Sequence, residues 1–395
     1  MNVARPGASP QLAEHARLGR FITVSAVLPV DTAGRVIAED IGAQTRRVLE
    51  RLDEAARRAG ASLARAAALN VFLRDAADFA GMNAAYAPFF PTDPPTRTTV
   101  VAGLGDPAVR VAASAVVVPP GEPREVVHPA RWKRSANPYS FGIRSGDTLF
   151  LAGLVSRRGV DGEVVDGDVA EQTTIVLDNA RELLAAGGMT MADVVQAKVF
   201  ITAPGDFAAM NDVYRVAFAG TSPPARATVV ADLMLPSHAV EITFLAVRDG
   251  SKMVVGTAGT LPFSPAVSSG GRCFVAGMLG NSAGARVDTA TQMREIVARV
   301  GHTLDQADYA WRDVRDVTIY VTDASIVPTV VSELGRYTVG LMVDGVSQVV
   351  MVATGDIEPP PALVAGAADG QVCGVARLGE RLVLFLDPDR MLPNR

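Results

Sequence analysis

Residues 71–101 and 199–230 carry nearly the same text, VFLRDAADFAGMNAAYAPFFPTDPPTRTTVV against VFITAPGDFAAMNDVYRVAFAGTSPPARATVV. Phe72 pairs with Phe200, Phe79 with Phe207, Asn83 with Asn211 and Tyr86 with Tyr214, each 128 positions apart. One inserted residue later, Pro94-Pro95-Thr96-Arg97 pairs with Pro223-Pro224-Ala225-Arg226. A period this long marks a duplicated domain and not a solenoid unit, whose repeats run about 20–50 residues. The duplication also isolates one polar position, Arg97 and Arg226, that both copies keep at the start of an apolar strand.

The hydrophobic pattern orders the second copy as strand, helix, strand, helix, strand, strand. Residues 147–155 (DTLFLAGLV) read as a strand, and 170–186 place Ile175, Leu177, Leu183 and Leu184 near helical spacing with Gly187-Gly188 as the stop. Residues 193–202 alternate as a strand, 205–218 form a short helix, and 226–233 and 239–247 are the last strands. The first copy repeats the plan over 20–28, 38–59, 65–74, 78–89, 97–104 and 109–118. A third copy starts near 253: SGGRCFVAGM at 269–278 matches SGDTLFLAGL at 145–154, 288–304 reads as the long helix, and 314–323 matches the strand at 194–203. Residues 326–334 start the short helix, and no Pro-Pro-x-Arg strand follows. From about 335 the chain turns to short apolar strands separated by turn residues, an all-β signature. The expected organisation is therefore repeats at 1–120, 121–250 and 251–334 and a different segment at 335–395, each repeat an α+β domain with helices on one sheet face.

Composition removes several functional classes. With 49% apolar and 20% charged residues the chain is globular, and a net charge of −5 offers no field for nucleic acid or an anionic membrane. Cys273 and Cys373 cannot build a disulfide framework, and His15, His128, His238 and His302 show no ligand spacing, so no metal site is expected. The first twenty residues lack the apolar core of a signal peptide, and no apolar run approaches the ~20 residues of a membrane span. A cytoplasmic setting is the expectation.

The Asp-Phe-x-x-Met-Asn-x-x-Tyr helix, the Pro-Pro-x-Arg-x-Thr-Val strand and the order of elements resemble the RidA/YjgF family of imine and enamine deaminases, over 12–118 and 135–249 and more loosely over 253–334. The resemblance implies a chorismate-mutase-like α+β fold, trimers with ligand clefts between neighbouring subunits, and no cofactor. Three repeats in one chain then imply a covalent pseudo-trimer, as a monomer or assembled further. In the family the strand arginine holds the substrate carboxylate and a glutamate on the final strand assists the attacking water. Those roles fall on Arg226 and Glu241 in the second repeat. Tyr139, Gly153, Asn211 and Thr228 complete the expected cleft. The first repeat keeps Arg97, Asn83 and Ser25 as ligand-binding candidates but has Arg110 where the glutamate belongs, favouring a more anionic ligand. The third keeps Gly277 and neither charged residue.

From residue chemistry alone, Arg226 offers a planar donor fork that fits a carboxylate, and Glu241 points away from its apolar neighbours Val240 and Ile242. A structural ion pair between the two is the competing reading. The segment 339–387 resembles the second half of a CheW domain, the adaptor that couples receptors to a chemotaxis kinase, through VGLMVD (339–344), IEPPP (357–361) and GVARLGERLVLFLD (374–387). Three functions stand at this stage: hydrolysis of small carboxylate-bearing imines and enamines to 2-oxo acids, binding of a small carboxylate without turnover, and signalling through a kinase or receptor docked at 335–395.

Overall fold

The structure, a computed structural model, describes residues 13–37, 40–257, 259–280, 287–335, 372–378 and 381–386. In the first repeat, strands β1 (His15–Leu18) and β2 (Phe21–Val27) precede helix α1 (Ile41–Arg58). Strand β3 (Ala66–Leu73), helix α2 (Phe79–Tyr86) and strands β4 (Thr96–Val101) and β5 (Val111–Val117) follow. The sheet order is β1-β2-β5-β3-β4. Helix α1 starts at 41 because the Asp40 carboxylate accepts the Ala43 N–H at 2.8 Å. It buries Val48, Leu49, Leu52, Ala55 and Ala56 against Leu69, Val71 and Leu73, the residues that alternate onto one face of β3.

The second repeat repeats this plan. Strands β6 (Glu125–Val127), β7 (Gly142–Ser145), β8 (Thr148–Leu151) and β9 (Leu154–Val155) lead to helix α3 (Val169–Ala186). Strand β10 (Val194–Ile201), helix α4 (Phe207–Ala217) and strands β11 (Ala225–Val230) and β12 (Val240–Val247) complete it. Its sheet runs β11-β10-β12-β8-β7-β6, with β9 also on β12. A capping box between Asp168 and Glu171 starts α3, and Gly188, at φ 73°, turns the chain beyond its end.

The third repeat keeps β13 (Met253–Val255), β14 (Ala266–Ser269), β15 (Arg272–Val275) and helices α5 (Thr289–Gln306) and α6 (Val327–Gly335). The strand expected over 314–323 does not form. In the other repeats that strand lies between the arginine strand and the final strand, and no described residue of the third repeat supplies either neighbour. Val317, Ile319 and Val321 stay exposed, although they carry the alternation of a strand. The C-terminal unit is separate and contributes an antiparallel hairpin of β16 (Val372–Leu378) and β17 (Arg381–Leu386), within the expected β segment.

Adjacent repeats meet in one recurring way. The Pro95 and Arg97 carbonyls accept N–H groups of Ser140 and Gly153, both at 3.0 Å. One repeat later, the Pro224 and Arg226 carbonyls accept N–H groups of Ser264 and Gly277, again at 3.0 Å. The outer edges of β4 and β11, which would otherwise present unpaired backbone groups, are thereby covered by the next repeat. Phe21 packs edge-on against Phe150 at 5.1 Å, and Arg272 of the third repeat lies 5.4 Å from the Phe21 ring of the first.

Candidate active site

Strand parity separates Arg226 from Glu241. On β10, Ala197 is registered with Arg226 and Phe200 with Glu241. Residues 197 and 200 point to opposite faces of the sheet, and directly registered partners share a face. Arg226 therefore lies on the helix side, where Tyr214 and Met210 of α4 meet it, and Glu241 lies on the helix-free side. The two do not form the ion pair or the shared site that the sequence allows.

Glu241 instead joins Arg97 across the boundary between the first two repeats. Its carboxyl accepts the backbone N–H of Thr99, and the Arg97 charge acts on it. Arg97 is 4% exposed and Glu241 5%. Burial raises the Glu241 carboxyl to about 8, while the Thr99 hydrogen bond and Arg97 pull the other way. Burial also lowers the Arg97 pKa, opposed by Tyr86, Tyr139 and Glu241. The Arg97 guanidinium sits among three rings, with Tyr86 at 4.9 Å and Phe79 and Tyr139 each at 5.5 Å. Such cation–π contacts contribute about 0.5–2 kcal/mol each and hold the fork in place.

Gly153 brings this cleft together. Its N–H holds the Arg97 carbonyl, and a Cβ there would lie 1.8 Å from Glu241 Oε1. Only glycine leaves room for the carboxyl at this point. The Thr98 and Thr243 hydroxyls meet at 2.6 Å and tie β4 to β12 beside the site. A cavity of about 190 Å³ shares Tyr139 and Gly153 with the cleft and is also lined by Trp132, Phe141, Leu154 and Asn179. Lys133, Arg134, Arg157 and Arg158 also line it, and neither Arg97 nor Glu241 does.

The expected residues thus fall into two clefts. Arg97, Tyr139, Gly153 and Glu241 form the first. Asn83 stands at its edge, donating to Asn137 Oδ1 at 3.2 Å, with its own Oδ1 buried and without a partner. Arg226 and Asn211 belong to the second, where Arg226 Nη2 donates to Asn211 Oδ1 at 2.5 Å. Thr228 lies two residues along β11 from Arg226. The Ser25 hydroxyl donates to the Ala13 carbonyl at 2.7 Å and has no described contact with either arginine. Arg110 does not draw an anion beside Arg97: it forms a two-point ion pair with buried Asp78, and it does not hold the glutamate position, which the register gives to Ala112, paired with Phe72 as Glu241 is with Phe200.

Two contributors escaped the sequence reading. Thr99, whose N–H holds Glu241, is the first-repeat counterpart of Thr228. Gln172 is fully buried and holds the chain ahead of β12, accepting from Ala239 N–H and donating to the Ser237 carbonyl, both at 2.8 Å. Gln44 plays the same part 128 residues earlier, accepting from Arg110 N–H. The recurrence of Gln-Thr at that period was the available signal. Among the described residues no three His, Cys, Asp or Glu side chains converge as metal ligands, and no helix is long and apolar enough to cross a membrane.

The sequence model of the Endoribonuclease L-PSP family matches three stretches, residues 3–118, 131–248 and 256–352. The chain belongs to this family. A CheW-like domain model matches 320–395 and overlaps the third L-PSP match. Among curated relatives of the L-PSP repeats, a RutC family protein of Pyrococcus horikoshii is 35% identical over 126 residues, 32% of this chain and 99% of the relative. Protein DfrA of Myxococcus xanthus is 36% identical over 126 residues, 31% of this chain and 95% of its own length. The 2-iminobutanoate/2-iminopropanoate deaminase of Bos taurus is 32% identical over 125 residues, 32% of this chain and 90% of the enzyme. Among solved structures, the YjgF gene product of E. coli is 30% identical, covers 31% of this chain and 98% of its own, and has a TM-score of 0.29.

Proposed function

We propose that this chain hydrolyses small 2-imino acids and their enamine tautomers to 2-oxo acids and ammonia, in the cleft between its first and second repeats. The observation that carries the reading is the buried Glu241 carboxyl, raised to about 8 and held beside buried Arg97. The deaminase among the relatives gives the substrate class. The repeated inter-repeat hydrogen bonds, with Arg272 against Phe21, support an intrachain pseudo-trimer as the scaffold.

The Arg97 fork receives the substrate carboxylate, which sets the C=N carbon beside Glu241. At pH 7 Glu241 still carries its proton, since it titrates near 8. It gives that proton to the imine nitrogen. The carboxylate it leaves takes a proton from water as the new C–O bond forms and the C=N pair moves to nitrogen. Glu241 then protonates the amine of the carbinolamine and recovers the hydroxyl proton as ammonia departs. Imine and water become oxo acid and ammonia, and Glu241 ends as it began.

The test is ammonia release from 2-iminobutanoate generated in place by an amino-acid oxidase. Wild type should accelerate release, and Arg97→Ala should lose about 100-fold or more. Absence of wild-type acceleration across several imino acids would refute the reading. The CheW-like match at 320–395 supports a separate second reading, in which 335–395 docks a chemotaxis kinase or receptor. Equal capture of such a partner by the full chain and by one ending at residue 334 would remove it.

A further inference from the structure

We propose that the cavity of the second repeat, walled by residues 132–141 and 153–162, binds a small dianion carried on a single ring. Arg97 and Glu241 do not line it, and the inference does not rest on the deaminase reading.

The charges around this cavity are of one sign. Lys133, Arg134, Arg157 and Arg158 line it, and no Asp or Glu does, although the chain carries a net charge of −5. Arg158 is compensated, its Nη2 lying 2.8 Å from Asp161 and 2.5 Å from Glu163. Among the described residues no carboxylate pairs with Lys133, Arg134 or Arg157. Two of these cations meet at one turn. Arg157 Nη1 donates to the Gly162 carbonyl, and Lys133 Cδ lies 3.5 Å from where a Cβ on Gly162 would stand. Like charges gathered against low-dielectric walls focus a field that draws in an anion, and the anion relieves their repulsion. The fold itself does not require them. Val30 bridges Val36 in the first repeat as Arg157 bridges Val164 in the second, so Val30 and Asp31 stand where the second repeat has Arg157 and Arg158.

The remaining wall is aromatic. Phe141 meets Trp132 edge-on at 5.1 Å and Tyr139 edge-on at 5.5 Å. Trp132 is fixed in place: its indole N–H donates to Glu182 at 2.8 Å, and its ring lies so close to Gly159 that a Cβ there would come within 2.1 Å of it. The facing loop is held as well. Lys133 N–H donates to the Gly159 carbonyl at 2.8 Å, and Asn179 Nδ2 donates to the Arg157 carbonyl at 2.7 Å. Walls held in this way spare a ligand much of the cost of ordering them. A volume of about 190 Å³ lies below the ~300–1,000 Å³ of pockets that enclose drug-sized ligands, which sets the size at one ring and its charged group. An ammonium acts as a point charge suited to phosphate oxygens, and the aromatic wall takes the flat body of the ligand.

Isothermal titration of the full chain with phenyl phosphate at pH 7.5 tests this. Wild type should bind it saturably, and inorganic phosphate, which lacks the ring, and phenol, which lacks the charge, should each bind about tenfold more weakly or worse. Lys133 and Arg134 are exposed, so the double variant Lys133→Glu, Arg134→Glu should keep its fold by circular dichroism and lose about tenfold or more in affinity for phenyl phosphate. Should the reversed charges disturb the fold, Lys133→Gln, which only neutralises, should still weaken binding. No saturable binding by wild type, equal binding of inorganic phosphate or of phenol, or an affinity that the folded variants leave unchanged would overturn the inference. No turnover enters this readout, so failure of the ammonia assay would remove the deaminase reading and leave this site, and failure of the titration would do the reverse.

Discussion

Replacing Glu241 by Gln should stabilise the folded chain more the higher the pH. The carboxyl titrates near 8 in the folded chain and near 4.5 when unfolded and solvated. Between those values the folded state holds a proton that the unfolded state has lost, so wild-type stability falls as pH rises through the window. Gln cannot ionise and escapes this loss. Integrated from pH 5 to pH 9, the advantage of Glu241→Gln over wild type grows by about 4 kcal/mol, an upper figure because water entry softens the cost of a buried charge. Spread over the repeats, this amounts to a gap in Tm that widens by ~5 °C. Scanning calorimetry of both proteins at pH 5, 7 and 9 and matched ionic strength measures it. Imine hydrolysis should be lost in the variant at every pH, because the amide cannot shuttle a proton. A Tm difference that stays constant from pH 5 to 9 would mean that Glu241 titrates as an exposed carboxylate, and the proton-transfer argument would fall with it.

The glycines of the two clefts give paired expectations. Gly153→Ala places a methyl 1.8 Å from Glu241 Oε1 and 2.7 Å from its Cδ, so the carboxyl must move; turnover should fall about 100-fold with circular dichroism unchanged. Near-normal turnover in that variant would show that the carboxyl does not need its present position. Gly277→Ala meets the Ala227 methyl at 2.9 Å and its Cα at 3.2 Å, and should cost about 1–3 kcal/mol through displacement of the third repeat from β11. An unchanged Tm would show that this contact yields freely.

Much of the fold was legible because each repeat states it locally. The spacing of Val48, Leu49 and Leu52, and the alternation of Leu69, Val71 and Leu73, mark a helix and a strand without reference to anything distant. The 128-residue recurrence then checks each assignment against a second copy. What was not legible depends on partners. Val317, Ile319 and Val321 alternate as strand residues do, but a strand is completed by neighbours that its own sequence does not encode. The site failed to read for a related reason. Arg226 and Glu241 sit fifteen positions apart in one repeat, and the motif invites them to act together. Whether they share a face is decided by register against β10, which sets Ala197 beside one and Phe200 beside the other. Sequence distance pairs Arg226 with Glu241, whereas the register sets them on opposite faces of the sheet and leaves Glu241 facing the first repeat.

Linking the repeats in one chain changes what each cleft is free to become. In an assembly of identical subunits, a substitution at the arginine or glutamate position appears in every cleft at once. Here each boundary has its own sequence. The first joins Arg97 to Tyr139, Gly153 and Glu241; the second joins Arg226 to Phe263 and Gly277. The glutamate position of the first repeat is Ala112, registered with Phe72 as Glu241 is with Phe200, and Arg110, two residues before it, is neutralised by Asp78 and serves as structure. Alanine at 112 therefore leaves the cleft at the first boundary intact, since that cleft takes its glutamate from the following repeat. An acidic partner introduced beside Arg226 would change the second boundary alone. The unequal clefts follow from that independence: once the copies are covalently ordered, each boundary can keep carboxylate binding, proton transfer or mere packing without imposing the choice on the others.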